Sequence, residues 1–158
     1  MSQRNDKHIT IYTDGAARGN PGPGGYGAIL IWGKIQKELS GGYKFTTNNR
    51  MELMAVIASL QALRQNNLSI TIYSDSAYVV NAIEKGWLKK WIKTNFAGGK
   101  KNKDLWLLYD MLSQQHQITF KWVKGHADNP FNNRCDELAT SAADQNNLET
   151  DEGYQNTL

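Results

Sequence analysis

Two stretches of the chain are near copies of one another. Ile9-Thr10-Ile11-Tyr12-Thr13-Asp14-Gly15-Ala16 returns as Ile70-Thr71-Ile72-Tyr73-Ser74-Asp75-Ser76-Ala77, with six of eight positions identical. Each copy alternates β-branched and aromatic residues in the manner of a strand and delivers an aspartate at the same point. The unit is too short for a stacked-repeat architecture, so it constrains a sheet instead. If the two strands are parallel neighbours they run about 4.8 Å apart, and Asp14 and Asp75 crowd each other. Carboxylates that close do not both ionise cheaply without a cation. Mg²⁺, a hard ion that takes oxygen ligands, is the natural one. A local reading stays open beside it: each Asp opens the turn after its strand, for which Asp14-Gly15 is a good signal.

The rest of the chain supplies neighbours for these strands. His8 to Asp14, Gly24 to Ile35 and Gln36 to Thr46 read as strands, with a hairpin near Gly33-Lys34. Helical spacing follows, since Met51, Met54, Ala55, Ala58 and Ala62 fall three or four apart, and Leu53, Val56, Ile57 and Leu60 widen the stripe. A fourth strand covers Ser69 to Asp75 and a helix starts near Ser76. Beyond a lysine-rich segment come a helix at about Asp104 to Gln115, a strand at Gln117 to Lys124 and a helix at about Asn132 to Asp144. Three leading strands suit an antiparallel meander, and the later β-α-β units suit parallel pairing through right-handed crossovers. The expected fold is α/β, a five-stranded mixed sheet with helices on both faces. The polar, acidic tail from Gln145 to Leu158 is expected to be poorly ordered.

A length of 158 residues fits a single domain, 1–158, able to bury roughly 68–70% of its unfolded surface without disulfide or metal. Unbroken apolar runs such as Ala28 to Trp32 are far below the ~20 residues of a membrane span. Met1 to Lys7 is polar, so no secretory signal is expected. The single Cys135 cannot make an internal disulfide, which fits a reducing cytoplasm. With no visible hydrophobic seam, a monomer without an obligate protein partner is the default. The formal charge of +3 hides an asymmetry. Of 18 basic residues, seven lysines (Lys85, Lys89, Lys90, Lys93, Lys100, Lys101, Lys103) stand together with no acid among them, and the other 11 are outnumbered by 15 acidic ones. A basic segment on a slightly acidic body points to a polyanion partner, with a solvated loop as the plain alternative.

Two further acids join Asp14 and Asp75. Glu52 interrupts the apolar helix start Met51-Glu52-Leu53-Met54, and Asp136 sits at the expected start of the last helix. Local roles compete for both: Asn49-x-x-Glu52 matches a capping box, and an acid at a helix start favours the dipole. Separations of 38, 23 and 61 residues along Asp14, Glu52, Asp75 and Asp136 exclude a contiguous metal loop. The four converge only through the fold.

Taken together, the chain resembles a bacterial type-one ribonuclease H. The segments that carry the resemblance are Tyr12-Thr13-Asp14-Gly15, Gly19-Asn20-Pro21-Gly22-Pro23-Gly24-Gly25-Tyr26-Gly27-Ala28, Thr46-Thr47-Asn48-Asn49-Arg50-Met51-Glu52-Leu53, Ser74-Asp75-Ser76, Lys124-Gly125-His126 and Asn133-Arg134-Cys135-Asp136-Glu137-Leu138-Ala139. They follow the family's order across about residues 8–144. The resemblance implies parallel neighbouring strands for Asp14 and Asp75. It implies hydrolysis of the RNA strand of RNA/DNA hybrids, leaving 3′-hydroxyl and 5′-phosphate ends. By motif, Asp14, Glu52, Asp75 and Asp136 become the metal-binding carboxylates. His126 matches the family's loop histidine, which assists proton movement or product departure; read alone, it is a solvated loop side chain. The implied cofactor is Mg²⁺, with Mn²⁺ able to substitute, and two ions when substrate is bound. Two ions about 3.5–4 Å apart serve both oxygens of an in-line displacement. Asp14 is then expected to bridge, with Glu52 and Asp75 on the nucleophile side and Asp136 on the leaving-group side.

Substrate contacts are expected around these acids. RNA is told from DNA by its 2′-hydroxyls. Gly15 and Ala17 allow close backbone approach, and Asn20, Asn48 and Asn49 can donate and accept at sugar and base edges. The resemblance places Thr47 and Asn20 near a phosphate of the DNA strand, while Thr47 or Asn48 is equally a helix N-cap. Trp87, Trp91 and Phe96 interleave with Lys89, Lys90 and Lys93, which suits sugar packing beside phosphate attraction. Both tryptophans are equally candidates for the core beneath. In the family this region is a basic protrusion that holds the DNA strand. Gly86, Phe96-Ala97-Gly98-Gly99 and Ala77 depart from the family pattern, and Ala77 is too short to reach a base edge.

Other chemistries fit poorly. Gly22-Pro23-Gly24-Gly25-Tyr26-Gly27 matches G-x-G-x-x-G but runs into the strand pattern Ala28-Ile29-Leu30-Ile31-Trp32. A dinucleotide site needs a helix there, so the glycines are left a hairpin or close-packing role. One Cys with scattered His8, His116 and His126 makes no zinc site, and no nucleophile elbow supports Ser-His-Asp chemistry. Two other readings stay open: a non-catalytic nucleic-acid-binding module, and a nuclease with another substrate, such as a junction resolvase or transposase.

Overall fold

The two echoing segments lie side by side in the computed structural model, which describes residues 8–124 and 129–158. They form β1 (His8–Ala17) and β4 (Ser69–Ser74), which pair in parallel with Ile9 opposite Ile70, Tyr12 opposite Tyr73 and Thr13 opposite Ser74. The offset of the repeat is therefore the register of the sheet. β2 (Gly22–Trp32) and β3 (Ile35–Thr46) complete an antiparallel meander with β1, turning at Gly33-Lys34. β5 (Gln117–Trp122) pairs in parallel with β4, and the sheet order is β3-β2-β1-β4-β5. The helices are α1 (Asn48–Gln61), α2 (Ala77–Glu84), α3 (Trp87–Lys93), α4 (Lys103–Ser113), α5 (Pro130–Ala143) and α6 (Glu152–Gln155).

Alternation along β1 and β4 sorts their side chains onto two faces. Ile9, Ile11, Ile70 and Ile72 are buried in one cluster with Leu53, Val56 and Ile57 of α1. Each such side chain stabilises the fold by about 1.5–3 kcal/mol through burial. On the opposite face Tyr12 and Tyr73 stack at 4.8 Å between centroids, and Phe131 of α5 stacks on Tyr12 at 5.0 Å. α5 lies close on this face because a Cβ at Gly27 would overlap the Cys135 carbonyl. That contact is the close-packing role expected of the glycine run.

Four local expectations are corrected. α1 is capped by Thr47, whose side chain accepts from the Arg50 N–H at 3.2 Å, so no capping box joins Asn49 to Glu52. α5 starts at Pro130 rather than Asn132, because Asn129 Oδ1 accepts from the N–H groups of Phe131 and Asn132 at 3.0 and 3.1 Å and Pro suits the first helical position. Asp136 therefore lies mid-helix, away from the dipole's end. The lysine segment holds a helix of its own, α3, anchored by buried Leu88.

The fourth correction concerns the tail, which is packed rather than poorly ordered. Lys44 N–H donates to Glu149 O at 2.7 Å and Glu149 N–H donates to Gly42 O at 3.1 Å. The physical reason is Arg50, whose side chain is 1% exposed. Asp151 accepts from its guanidinium through both oxygens, at 2.8 and 3.0 Å, and Asp104 does the same at 2.9 and 2.7 Å. A buried guanidinium without such partners would be strongly destabilising. The tail supplies one of them.

Candidate active site

β1, α1 and the exit of β4 each bring one acid to the same place. One carboxylate oxygen from each of Asp14, Glu52 and Asp75 lies within 4.8 Å of the others. α1 reaches the cluster because Gly15 has no side chain: a Cβ there would overlap the backbone of Met51 and Glu52. Gly15 N–H donates to Asp14 Oδ1 at 2.9 Å. Asp14 is buried, and Glu52 and Asp75 are half-buried.

Burial, then the charges of Asp75 and Asp136, push the Asp14 carboxyl from 3.8 up to about 8. Burial raises Glu52 well above the usual carboxylate range, with Asp14 and Asp75 adding to the shift. Glu52 Oε1 and Asp75 Oδ1 are buried and receive no hydrogen bond among the described residues. Three hard oxygen donors, a surplus of negative charge and two unsatisfied oxygens fit a divalent cation. Asp136 is exposed and stands outside the tight triad, yet its charge contributes to the Asp14 shift. His126 lies outside the described residues.

The expected substrate residues occupy the rim. Asn48 Oδ1 accepts from Ala17 N–H at 2.6 Å, and Asn48 N–H donates to Asn20 Oδ1 at 3.0 Å. Both side-chain NH₂ groups remain as donors. Asn49 is exposed, and Thr47 combines the N-cap with a place on the wall of a groove of about 470 Å³. That groove also takes in Asn20, Tyr78, Trp91, Lys100, Lys101, Asn102 and Tyr154, and so joins the start of α1 to the basic segment.

The two tryptophans separate. Trp91 lies 6.0 to 6.4 Å from the rings of Trp106, Tyr78, Phe96 and Trp87, as part of the packing beneath the segment. Trp87 is exposed, with the Lys85 ammonium 5.7 Å from its ring, and Lys89 and Lys90 are exposed beside it. Sequence reasoning passed over Arg50, Tyr78, Asn102 and Tyr154. For Arg50 a signal existed: a charged residue between capping Thr47 and the apolar start of α1 must find partners when the helix is buried.

Comparison with known proteins places this geometry. The RNase H family model matches residues 6–144. The Ribonuclease H of Syntrophus aciditrophicus (strain SB) is 53% identical over 152 residues, 94% of this chain and 87% of its own length. That of Chlorobium phaeobacteroides (strain BS1) is 54% identical over 144 residues, 89% of this chain and 98% of its own. The crystal structure of LC9-RNase H1, a type 1 RNase H with the type 2 active-site motif, superposes with a TM-score of 0.79 at 25% identity, over 87% of this chain and 72% of that one. LC11-RNase H1 in complex with RNA/DNA hybrid superposes at 0.67 with 25% identity, over 86% and 96%. The sheet order, the carboxylate cluster and these likenesses agree, and the chain belongs to the RNase H family.

Proposed function

We propose that this chain cuts the RNA strand of RNA/DNA hybrids internally, leaving 3′-hydroxyl and 5′-phosphate ends. The observation that carries the reading is the Asp14–Glu52–Asp75 cluster with its two buried, unsatisfied oxygens. Asp14, Glu52, Asp75 and Asp136 would hold Mg²⁺, two ions with substrate present, which when bound supply the charge that activates water and stabilises the leaving oxygen. The chain's own part is to bind and orient. Gly15 and Ala17 allow close backbone approach, and the side-chain amides of Asn20, Asn48 and Asn49 offer donors to the RNA sugar and base edges. Thr47 and Asn20 line the groove that runs to Lys100 and Lys101, which supports a phosphate of the DNA strand there. Trp87, Lys89 and Lys90 present an exposed ring and two cations to that strand, and Trp91 backs them. His126 assists proton movement or product departure. The hybrid bound by LC11-RNase H1 supports the choice of substrate. We read residues 1–158 as one domain, acting as a cytoplasmic monomer.

A 5′-labelled RNA strand annealed to DNA, incubated with Mg²⁺ or EDTA, tests this beside duplex DNA and duplex RNA. Cuts are expected only in the hybrid and only with Mg²⁺. Asp14→Asn is expected to bind hybrid and not cleave it; full activity would overturn the site. Cleavage of duplex DNA would favour a nuclease of another class, and binding without cleavage a binding module. His126→Ala should lower turnover and leave metal binding intact, and unchanged turnover would reject its role.

A further inference from the structure

Asp75 is held differently from the other two acids of the triad. Asp14 lies inside β1, paired with Gly27, and its Oδ1 takes the Gly15 N–H. Glu52 rides on α1. Asp75 lies one residue past the end of β4 and one before Ser76, the N-cap of α2. Its Oδ1 receives no hydrogen bond among the described residues.

What holds it is the peptide unit that follows. The Ser76 N–H donates to Ser74 Oγ at 3.1 Å, and the Asp75 carbonyl accepts the indole N–H of Trp122 at 3.3 Å. One planar group is gripped at both of its polar ends by side chains. Because the peptide is rigid, this sets ψ of Asp75 and with it the direction in which its side chain leaves the backbone. The strand that carries the indole is tied to the same place, since Val123 N–H donates to Ser74 O at 2.9 Å. Trp122 is 55% exposed, so core filling does not account for where its ring sits. The contact to Asp75 does.

We infer that Trp122 is a positioning residue for Asp75, gripping its carbonyl through the indole N–H so that the carboxylate faces Asp14 and Glu52. The inference rests on the carboxylate reading of the site. Partners one step removed from a metal ligand orient it, and their loss weakens metal affinity or activity by about 10–100-fold.

The test compares Trp122→Phe, which keeps a ring and loses the donor, with Ser74→Ala, which removes the opposite grip, and with Asp75→Asn. Thermal melts confirm folding. Three quantities are read: kcat and KM on hybrid across a Mg²⁺ titration, hybrid affinity in EDTA, and Mn²⁺ affinity by calorimetry, which does not depend on turnover. Trp122→Phe is expected to raise the Mg²⁺ midpoint and the Mn²⁺ Kd about tenfold, with hybrid affinity in EDTA unchanged. Ser74→Ala should show the same signature. If Asp75→Asn stays fully active, the carboxylate reading falls. If Asp75→Asn is inactive while Trp122→Phe and Ser74→Ala keep wild-type metal affinity, the positioning role alone is overturned. A raised KM and weaker hybrid binding at unchanged metal affinity would also overturn it, making Trp122 a substrate contact.

Discussion

At the scale of single residues, Asp14 is where the fold and the site conflict. Its carboxyl rises from 3.8 to about 8, first through burial. Between those values the native state holds a proton that the unfolded chain has released, so stability falls as pH rises across that window and is fully present only below 3.8. Asp14→Asn removes the conflict. In EDTA near neutral pH the variant should melt a few degrees above wild type, and below pH 3.8 the gain should vanish. Mg²⁺ should raise the wild-type Tm more than the variant's, because it neutralises what the amide has already removed. Scanning calorimetry in the two buffers checks this, and a variant no more stable than wild type near neutral pH would contradict it. The acids themselves were legible in the chain, two of them through the echo. Their rival local roles were not separable until Thr47 proved to be the cap of α1 and Asp136 proved to lie mid-helix.

At the scale of elements, the tail and the lysine segment show what short-range patterns conceal. Asp151 is 4% exposed and Asp104 44% exposed in their pairs with Arg50. Asp151→Ala should therefore cost about 3 kcal/mol, and Asp104→Ala clearly less, by urea unfolding; equal losses would contradict the burial argument. In α3, Trp91→Ala should destabilise the fold by about 3 kcal/mol because its ring packs against Trp106 and Phe96. Trp87→Ala should leave stability nearly unchanged and weaken hybrid binding. Similar effects from both would reject the division. The sequence allowed either tryptophan either role, since a ring next to lysines looks alike whether it points inward or outward.

At the scale of the whole molecule, charge is divided between a basic segment and a slightly acidic body. Seven lysines fall between Lys85 and Lys103 without an acid, and Lys100 and Lys101 line the groove that leads to Thr47 and Asn20. Attraction of a polyanion should be local and salt-sensitive. Replacing Lys89 and Lys90 with Ala should reduce the slope of log affinity against log salt by about 0.9 per lost phosphate contact, in the limit of B-DNA. Hybrid affinity measured across a salt series checks it, and an unaltered slope would place those lysines off the nucleic acid.

The chain by itself determined the strands, a leading antiparallel meander and later parallel pairing; that β1 and β4 are neighbours in the register of the echo was decided by the tertiary structure. Side-chain alternation is a property of neighbours along the backbone, and a strand's face follows from its period. The tertiary structure decided which acids meet. Asp14, Glu52 and Asp75 come within 4.8 Å because Gly15 lets α1 approach, while Asp136 stays at the edge. It also decided that Arg50 draws the tail onto the body. Those outcomes depend on how closely elements pack and on which buried charge lacks a partner, and neither quantity is written in the periodicity of any one segment.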